Sequence, residues 1–199
     1  MSAFNRHLKS ALAIFAAALF LLPPSLGRAD DSVTSSVAGP QARAAEPLIA
    51  ALAEADAAEA RQIVRELELI WSSSGSSSMD LLLRKGRDAL ERGDLDQAVG
   101  HFSALIDHAP GFAEGWHMRA MAFFRMEELG LAQADLEQAL ALNPLNFQSA
   151  YGLAVVLEET GRIDAAHAGY SAILKIYPAH EDSLAGRDRL APRVSGSDI

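Results

Sequence analysis

The 199-residue chain contains no cysteine. That excludes a disulfide scaffold, a thiolate zinc site, a cysteine nucleophile and a lipid-modified N-terminal cysteine. Aromatic residues are scarce at 7% and charged residues make up 22%, while half of the chain is apolar. Such a balance fits neither a disordered polyelectrolyte nor a multi-span membrane protein. Basic residues are outnumbered, 17 against 26 acidic, for a formal charge of -9. An excess of that sign repels phosphate, so nucleic acid is not an expected partner. Long hydrophobic runs are missing as well, with one short exception.

That exception opens the chain. Arg6, His7 and Lys9 precede the run ALAIFAAALFLL (Ala11 to Leu22), and small residues come after it at Gly27 and Ala29. The three regions fit a secretory signal peptide over 1–29, cleaved before Asp30. As a helix the run would measure about 18 Å against a hydrocarbon core of about 30 Å. An uncleaved signal anchoring the protein to the inner membrane is the alternative. Cleavage would leave 14 basic and 26 acidic residues, a charge of -12. The expected location is the periplasm, with no membrane insertion after cleavage. Without cysteine, an exported chain must rely on core packing alone.

Residues 30–46 are small, polar and aperiodic, and read as a flexible linker. Residues 47–78 read as an N-terminal helical hairpin and then a Ser-rich linker. Ile63, Leu67, Ile70 and Trp71 fall on one helical face. Asp56 is a suitable N-cap for the second helix. An exposed stripe of that kind would be costly, so the hairpin is expected to pack on the domain C-terminal to it.

Self-comparison then reveals a period of 34 residues. That shift aligns Leu82 with Trp116 and Ala150, and Gly86 with Ala120 and Ala154. It also aligns Ala89 with Phe123 and Leu157, Ala98 with Ala132 and Ala166, and Phe102 with Leu136 and Tyr170. Pro110, Pro144 and Pro178 coincide. The units are 79–112, 113–146 and 147–180, each a pair of helices. Small residues permit close helix approach, large ones fill the space beside them, and proline ends the second helix. Gly93 and Gly161 supply left-handed helix endings in units one and three. Unit two has Gly130 one step into its second helix, which predicts a shifted turn there. A fourth copy begins after Pro178 and stops, giving a capping helix over 181–191 and a disordered tail over 192–199. The hairpin is assigned to the opposite end of the stack.

These spacings resemble tetratricopeptide repeat (TPR) proteins. The first unit departs from that pattern, with Leu82 where tryptophan is usual and Ala89 where an aromatic is common. With the leader, the chain resembles small envelope proteins of Gram-negative bacteria, of the alphaproteobacterial kind. The resemblance implies an all-α fold, a right-handed superhelix (α-α solenoid) whose first helices line a concave groove for peptides. It places Leu83, Arg87 and Leu90 of unit one in that groove. Unit two contributes His117, Met121, Phe124 and Arg125, and unit three Gln148, Tyr151, Val155 and Glu158. A protein or peptide partner in this groove is one expectation. The other is a structural or self-assembling protein whose groove is covered by its own hairpin or by a second copy, a homo-oligomer.

Family members that clamp a C-terminal carboxylate use Lys, Arg and Asn from the first helices. The corresponding places here are Leu83, Arg87, Met118, Gln148 and Gly152, with Arg87 the one cation, so a two-carboxylate clamp is not expected. Nor is catalysis. GxSxG, SxxK, HExxH and a phosphate-cradling glycine loop do not occur, and His101 and His108 stand seven apart rather than four. No metal or cofactor is expected. The role implied is a non-catalytic interaction module or scaffold.

Overall fold

The computed structural model describes residues 40–195. The expected leader and the last four residues lie outside the described residues. Among the described residues the secondary structure is entirely helical: α1 (Pro40–Glu54), α2 (Ala57–Trp71), α3 (Ser77–Arg92), α4 (Leu95–His108), α5 (Ala113–Arg125), α6 (Leu129–Leu142), α7 (Phe147–Glu159), α8 (Ile163–Ile176) and α9 (Glu181–Ser195). The pairs α3–α4, α5–α6 and α7–α8 each fill one 34-residue period. Each pair packs on the next, α8 packs on α9, and α5 touches both α3 and α7 along one side.

The pattern of small and large residues explains the pairing. Ala98, Ala120, Ala132, Ala154 and Ala166 are almost completely buried at the crossings. At Gly86 a Cβ would lie 2.3 Å from the Phe102 ring, and at Gly186 it would lie 2.6 Å from the Tyr170 ring. Both glycines are therefore sites of direct ring-to-backbone contact. Each second helix ends two residues before its proline, at His108, Leu142 and Ile176.

The turn inside each pair is the same structure three times. The N–H groups of Gly93 and Asp94 return to Leu90 and Ala89, those of Glu127 and Glu128 to Phe124 and Phe123, and those of Gly161 and Arg162 to Glu158 and Leu157. This is the left-handed helix ending with paired backbone bonds. The shift expected from Gly130 does not occur. Instead Glu127 takes φ 61° in register with Gly93 (81°) and Gly161 (75°). Packing on both sides sets the register, and the side chain accepts the strained conformation.

Three local expectations change in the same way. The first helix begins at Pro40, inside the expected linker, with Pro47 within it. The serine-rich stretch is a hydrogen-bonded turn. Asp80 Oδ1 accepts from the N–H of Ser74 at 2.9 Å and from its hydroxyl at 2.6 Å. The last helix continues through Pro192 to Ser195, past the expected end at 191. Asp56 does cap α2, accepting from Ala58 and Glu59 while Glu59 reaches back to its N–H.

The hairpin α1–α2 does not sit at the free end of unit one. It folds back over unit three, where α1 touches α8 and Trp71 meets Phe147 edge-on at 5.5 Å. Ala45, Leu52, Ala60, Leu67 and Trp71 share one core with Phe147, Leu153, Tyr170, Ile173 and Leu190. Burying the stripe against the aromatic side chains of unit three removes it from water.

Candidate functional site

The fold-back lines one side of an open, groove-like cavity of about 620 Å³ between the hairpin and the first helices of the units. Its first wall comes from α5, which presents Glu114, His117, Met118, Met121 and Phe124 at intervals of three and four, one stripe of a helix. Arg87 and Leu90 of α3 form the second wall, and Gln148, Tyr151, Gly152, Val155 and Val156 of α7 the third. Glu68, Trp71 and Ser72 of the hairpin, with Leu136 and His180, complete it.

Local capping fixes the α7 wall. Asn146 accepts from the N–H groups of Gln148 (3.0 Å) and Ser149 (3.1 Å), so the helix starts at a defined residue. Ser149 is fully buried and its hydroxyl pairs with Nδ1 of His117 at 3.0 Å. At the far edge Nδ1 of His180 accepts from the Ser183 N–H at 3.1 Å, starting α9. The His180 ring packs on Tyr151 and Tyr177, each at 5.2 Å, and burial there holds its pKa below the ordinary value.

Arg87, the cation of the cavity, is already engaged. Arg87 donates to the Glu114 carboxylate and, at 2.8 Å, to the Ser72 hydroxyl. Glu114 is 5% exposed. Burial raises its pKa to about 7, outweighing the guanidinium beside it, and Glu68 pushes it in the same direction. His117, 8% exposed, is pushed down to about 4, chiefly by burial and further by Arg87. It is therefore a neutral ring at neutral pH, and Arg87 is not a free cation for a ligand carboxylate.

Eight of the eleven residues assigned to the groove from sequence line this cavity: Arg87, Leu90, His117, Met121, Phe124, Gln148, Tyr151 and Val155. Three do not. Leu83, 2% exposed, belongs to the core of the first unit with Phe102, Phe112 and Ala122. Arg125 is exposed and donates to the Leu90 carbonyl, closing α3 against α5. Glu158 turns toward α9, where Arg189 binds both its oxygens at 2.9 Å and Tyr170 donates to it at 2.9 Å. Arg189 holds the Glu158 pKa down, while burial and that carboxylate raise Tyr170. Glu114 was missed, although the 34-residue shift carries Gln148 onto it. Glu68, Trp71 and Ser72 were not assigned to the groove, although its covering by the hairpin was one of the two expectations.

Outside the cavity, Arg119 joins α5 to α6 through two bonds to Asp135 (2.7 and 2.9 Å) and lies over the Trp116 ring at 5.1 Å. Among the described residues no group of three or more His, Asp and Glu converges as metal ligands, and no helix is long and apolar enough to cross a membrane.

Known proteins share this architecture. A family model for the tetratricopeptide repeat matches residues 83–129 and 117–181. A TPR repeat-containing protein of Rhizobium etli is 28% identical over 144 residues, covering 72% of this chain and 71% of the relative. Among solved structures, the first TPR of Spaghetti (RPAP3) bound to the HSP90 peptide SRMEEVD superposes with a TM-score of 0.58. It is 19% identical and covers 59% of this chain and 94% of its own. MamA superposes with a TM-score of 0.57 at 18% identity, covering 71% of this chain and 86% of its own. At such identities the structural likeness speaks for the fold. With the matched repeats, the uninterrupted helix pairs and the three identical turns, the chain belongs to the tetratricopeptide repeat family.

Proposed function

We propose that the cavity holds a segment of a partner protein and that the protein acts by binding, not by catalysis. The observation that carries this reading is the apolar cavity itself, built from one stripe of residues on three successive first helices. A preformed pocket loses little entropy on binding, and a cleft of this size suits one or two apolar side chains of a peptide. The TPR of Spaghetti, which shares the fold, is bound to the peptide SRMEEVD, and this supports a peptide-binding use of the fold. The leader-like start of the sequence supports a location in the cell envelope, where the protein would serve as a scaffold.

The test places a photo-reactive phenylalanine analogue at Met121 in the full chain and identifies what it crosslinks in cells. Met121→Glu or Tyr151→Asp should weaken capture of that partner by at least about tenfold while helicity stays unchanged, as expected for losing an apolar anchor site. Unchanged capture by both variants would remove the cavity from the binding surface.

A second reading has its own observation: Glu68, Trp71 and Ser72 of the hairpin form part of the cavity wall. In that reading the hairpin covers the groove for the sake of solubility. Deleting residues 30–71 would then change the oligomeric size or precipitate the protein.

A further inference from the structure

The lining of the cavity is unbalanced in charge. Among the described residues Arg87 is its one cation, and it is spent on Glu114 and Ser72. Two carboxylates face the space from different elements, Glu114 on α5 and Glu68 on α2. Arg87 meets Oε1 of Glu114, and the other oxygen of this buried carboxylate has no hydrogen-bond partner among the described residues. Glu68 is exposed and, among those same residues, accepts only from Gln148, at 2.8 Å on Oε1. That oxygen is left open toward the cavity, where a donor from a ligand can reach it. Apart from the uncharged polar groups of Ser72, His117, Gln148 and His180, the rest of the wall is apolar or aromatic, and the chain as a whole carries -9.

Resting on the groove reading above, we infer that the cavity takes a partner segment with an apolar anchor next to a lysine or arginine, whose cation meets the Glu114 and Glu68 carboxylates. The anchor fills the space between Met121, Phe124, Tyr151 and Val155. An acidic tail is the wrong ligand, since nothing in the described lining offers it a free cation.

The charged groups acting on Glu114 are Arg87 from α3 and Glu68 from α2. On its own helix His117 is neutral. From α7 the cavity wall carries no charged group, with Gln148 there, and α6 contributes only Leu136. A cation arriving beside Glu114 favours its ionised form, so capture expels a proton near neutral pH.

The experiment titrates the full chain with three labelled peptides of equal length, each with two leucines one helical turn apart and a central lysine, glutamine or glutamate. The lysine peptide should bind about tenfold tighter than the glutamine peptide, with the glutamate peptide weakest, as a charge-assisted bond at a desolvated carboxylate predicts. Glu68→Gln, at an exposed position, should close much of that gap without altering the circular dichroism. Glu114→Gln should remove the proton release seen by calorimetry in buffers of different ionisation enthalpy. Equal affinity for all three peptides, abolished by Met121→Glu, would keep the groove and overturn the charge preference, and so would tightest binding of the glutamate peptide. Failure of every peptide to bind would sink the groove reading and the preference with it.

Discussion

Units one and three share the same pattern of large and small residues, yet they are covered very differently. The core of unit one is modest: Leu83, Ala89, Ala98, Phe102, Leu105 and Phe112, closed by Ala122 of the next unit. Unit three is wrapped from two directions, by Leu190 of the capping helix and by the hairpin residues Leu52, Leu67 and Trp71. In a solenoid each repeat ordinarily contacts only its neighbours, so stability is close to a sum of local terms. Here the hairpin joins distant parts of the chain, as the bond between Glu68 and Gln148, 80 residues apart, illustrates. The cavity exists because of this long-range contact, which gives it a wall that the repeats alone lack.

The largest expected effect breaks the comparison at its strong end. Phe147 stands between Trp71 (5.5 Å), Tyr177 (5.5 Å) and His180 (6.0 Å). Phe147→Ala should cost about 3–5 kcal/mol, the usual range for deleting a buried phenylalanine. Phe102→Ala, at a fully buried ring, should cost a similar amount. The two should differ in where protection is lost. In native-state hydrogen exchange, Phe147→Ala should expose the amides of α2, and Phe102→Ala should leave them protected while loosening α3 and α4. Equal loss in α2 from both would mean that the hairpin is not held by unit three in particular.

A smaller effect concerns the middle unit, which faces both regions. Glu114 and His117 stand one turn apart on α5, and their shifts oppose each other. The folded-state pKa of Glu114 is raised to about 7 from 4.5, so the fold binds the proton more tightly than the unfolded chain, and stability is lost as pH rises between those values. That of His117 is lowered to about 4 from 6.5, so the unfolded chain binds the proton more tightly, and stability is gained as pH rises through that interval. The two slopes nearly cancel between 4.5 and 6.5. Chemical denaturation of the native chain should therefore show only the gentle rise with pH left by His180, whose pKa burial also holds below its ordinary value. Glu114→Gln should unmask a steeper rise with pH and His117→Gln a fall, by a few kcal/mol at most. Parallel slopes in both variants would show that burial of one group does not govern its titration.

The repeat was readable because its message is written many times. Ala98 and Pro110 recur at fixed spacing, as do the small size of Gly86 and the large size of Phe102, and each recurrence is an independent vote for the same helix crossing. Eight of the seventeen lining residues, Arg87, Met121 and Tyr151 among them, were legible through the family resemblance that those spacings carry. What stayed hidden belongs to single events. The docking of Trp71 on Phe147 depends on the relative sizes of two surfaces, which no local window compares. The pairing of Arg87 with Glu114 removes a cation that composition alone would count as free. Asp80 turns a serine run that looks like a loose linker into an ordered connection by accepting two hydrogen bonds. Pro40 and Pro47 lie within a helix stabilised by its docking on α2 and α8, where tertiary packing overrides weak local propensity.

Glu127 offers the smallest and cleanest test, since it compares the middle turn with its two neighbours. All three turns carry the same pair of backbone bonds, yet units one and three place glycine at the left-handed position and unit two places glutamate. A residue with a Cβ loses about 1–2 kcal/mol in that conformation. Glycine avoids this but loses about 0.5–1 kcal/mol more backbone entropy on folding. Glu127→Gly should therefore raise stability by about 0.5–1 kcal/mol, seen as a higher urea midpoint at an unchanged slope. The side chain makes no hydrogen bond among the described residues, so little opposes the gain. Glu127→Ala, which keeps the Cβ, should leave the midpoint nearly where it was. If both substitutions lowered it equally, the glutamate side chain rather than its backbone would be what the turn requires.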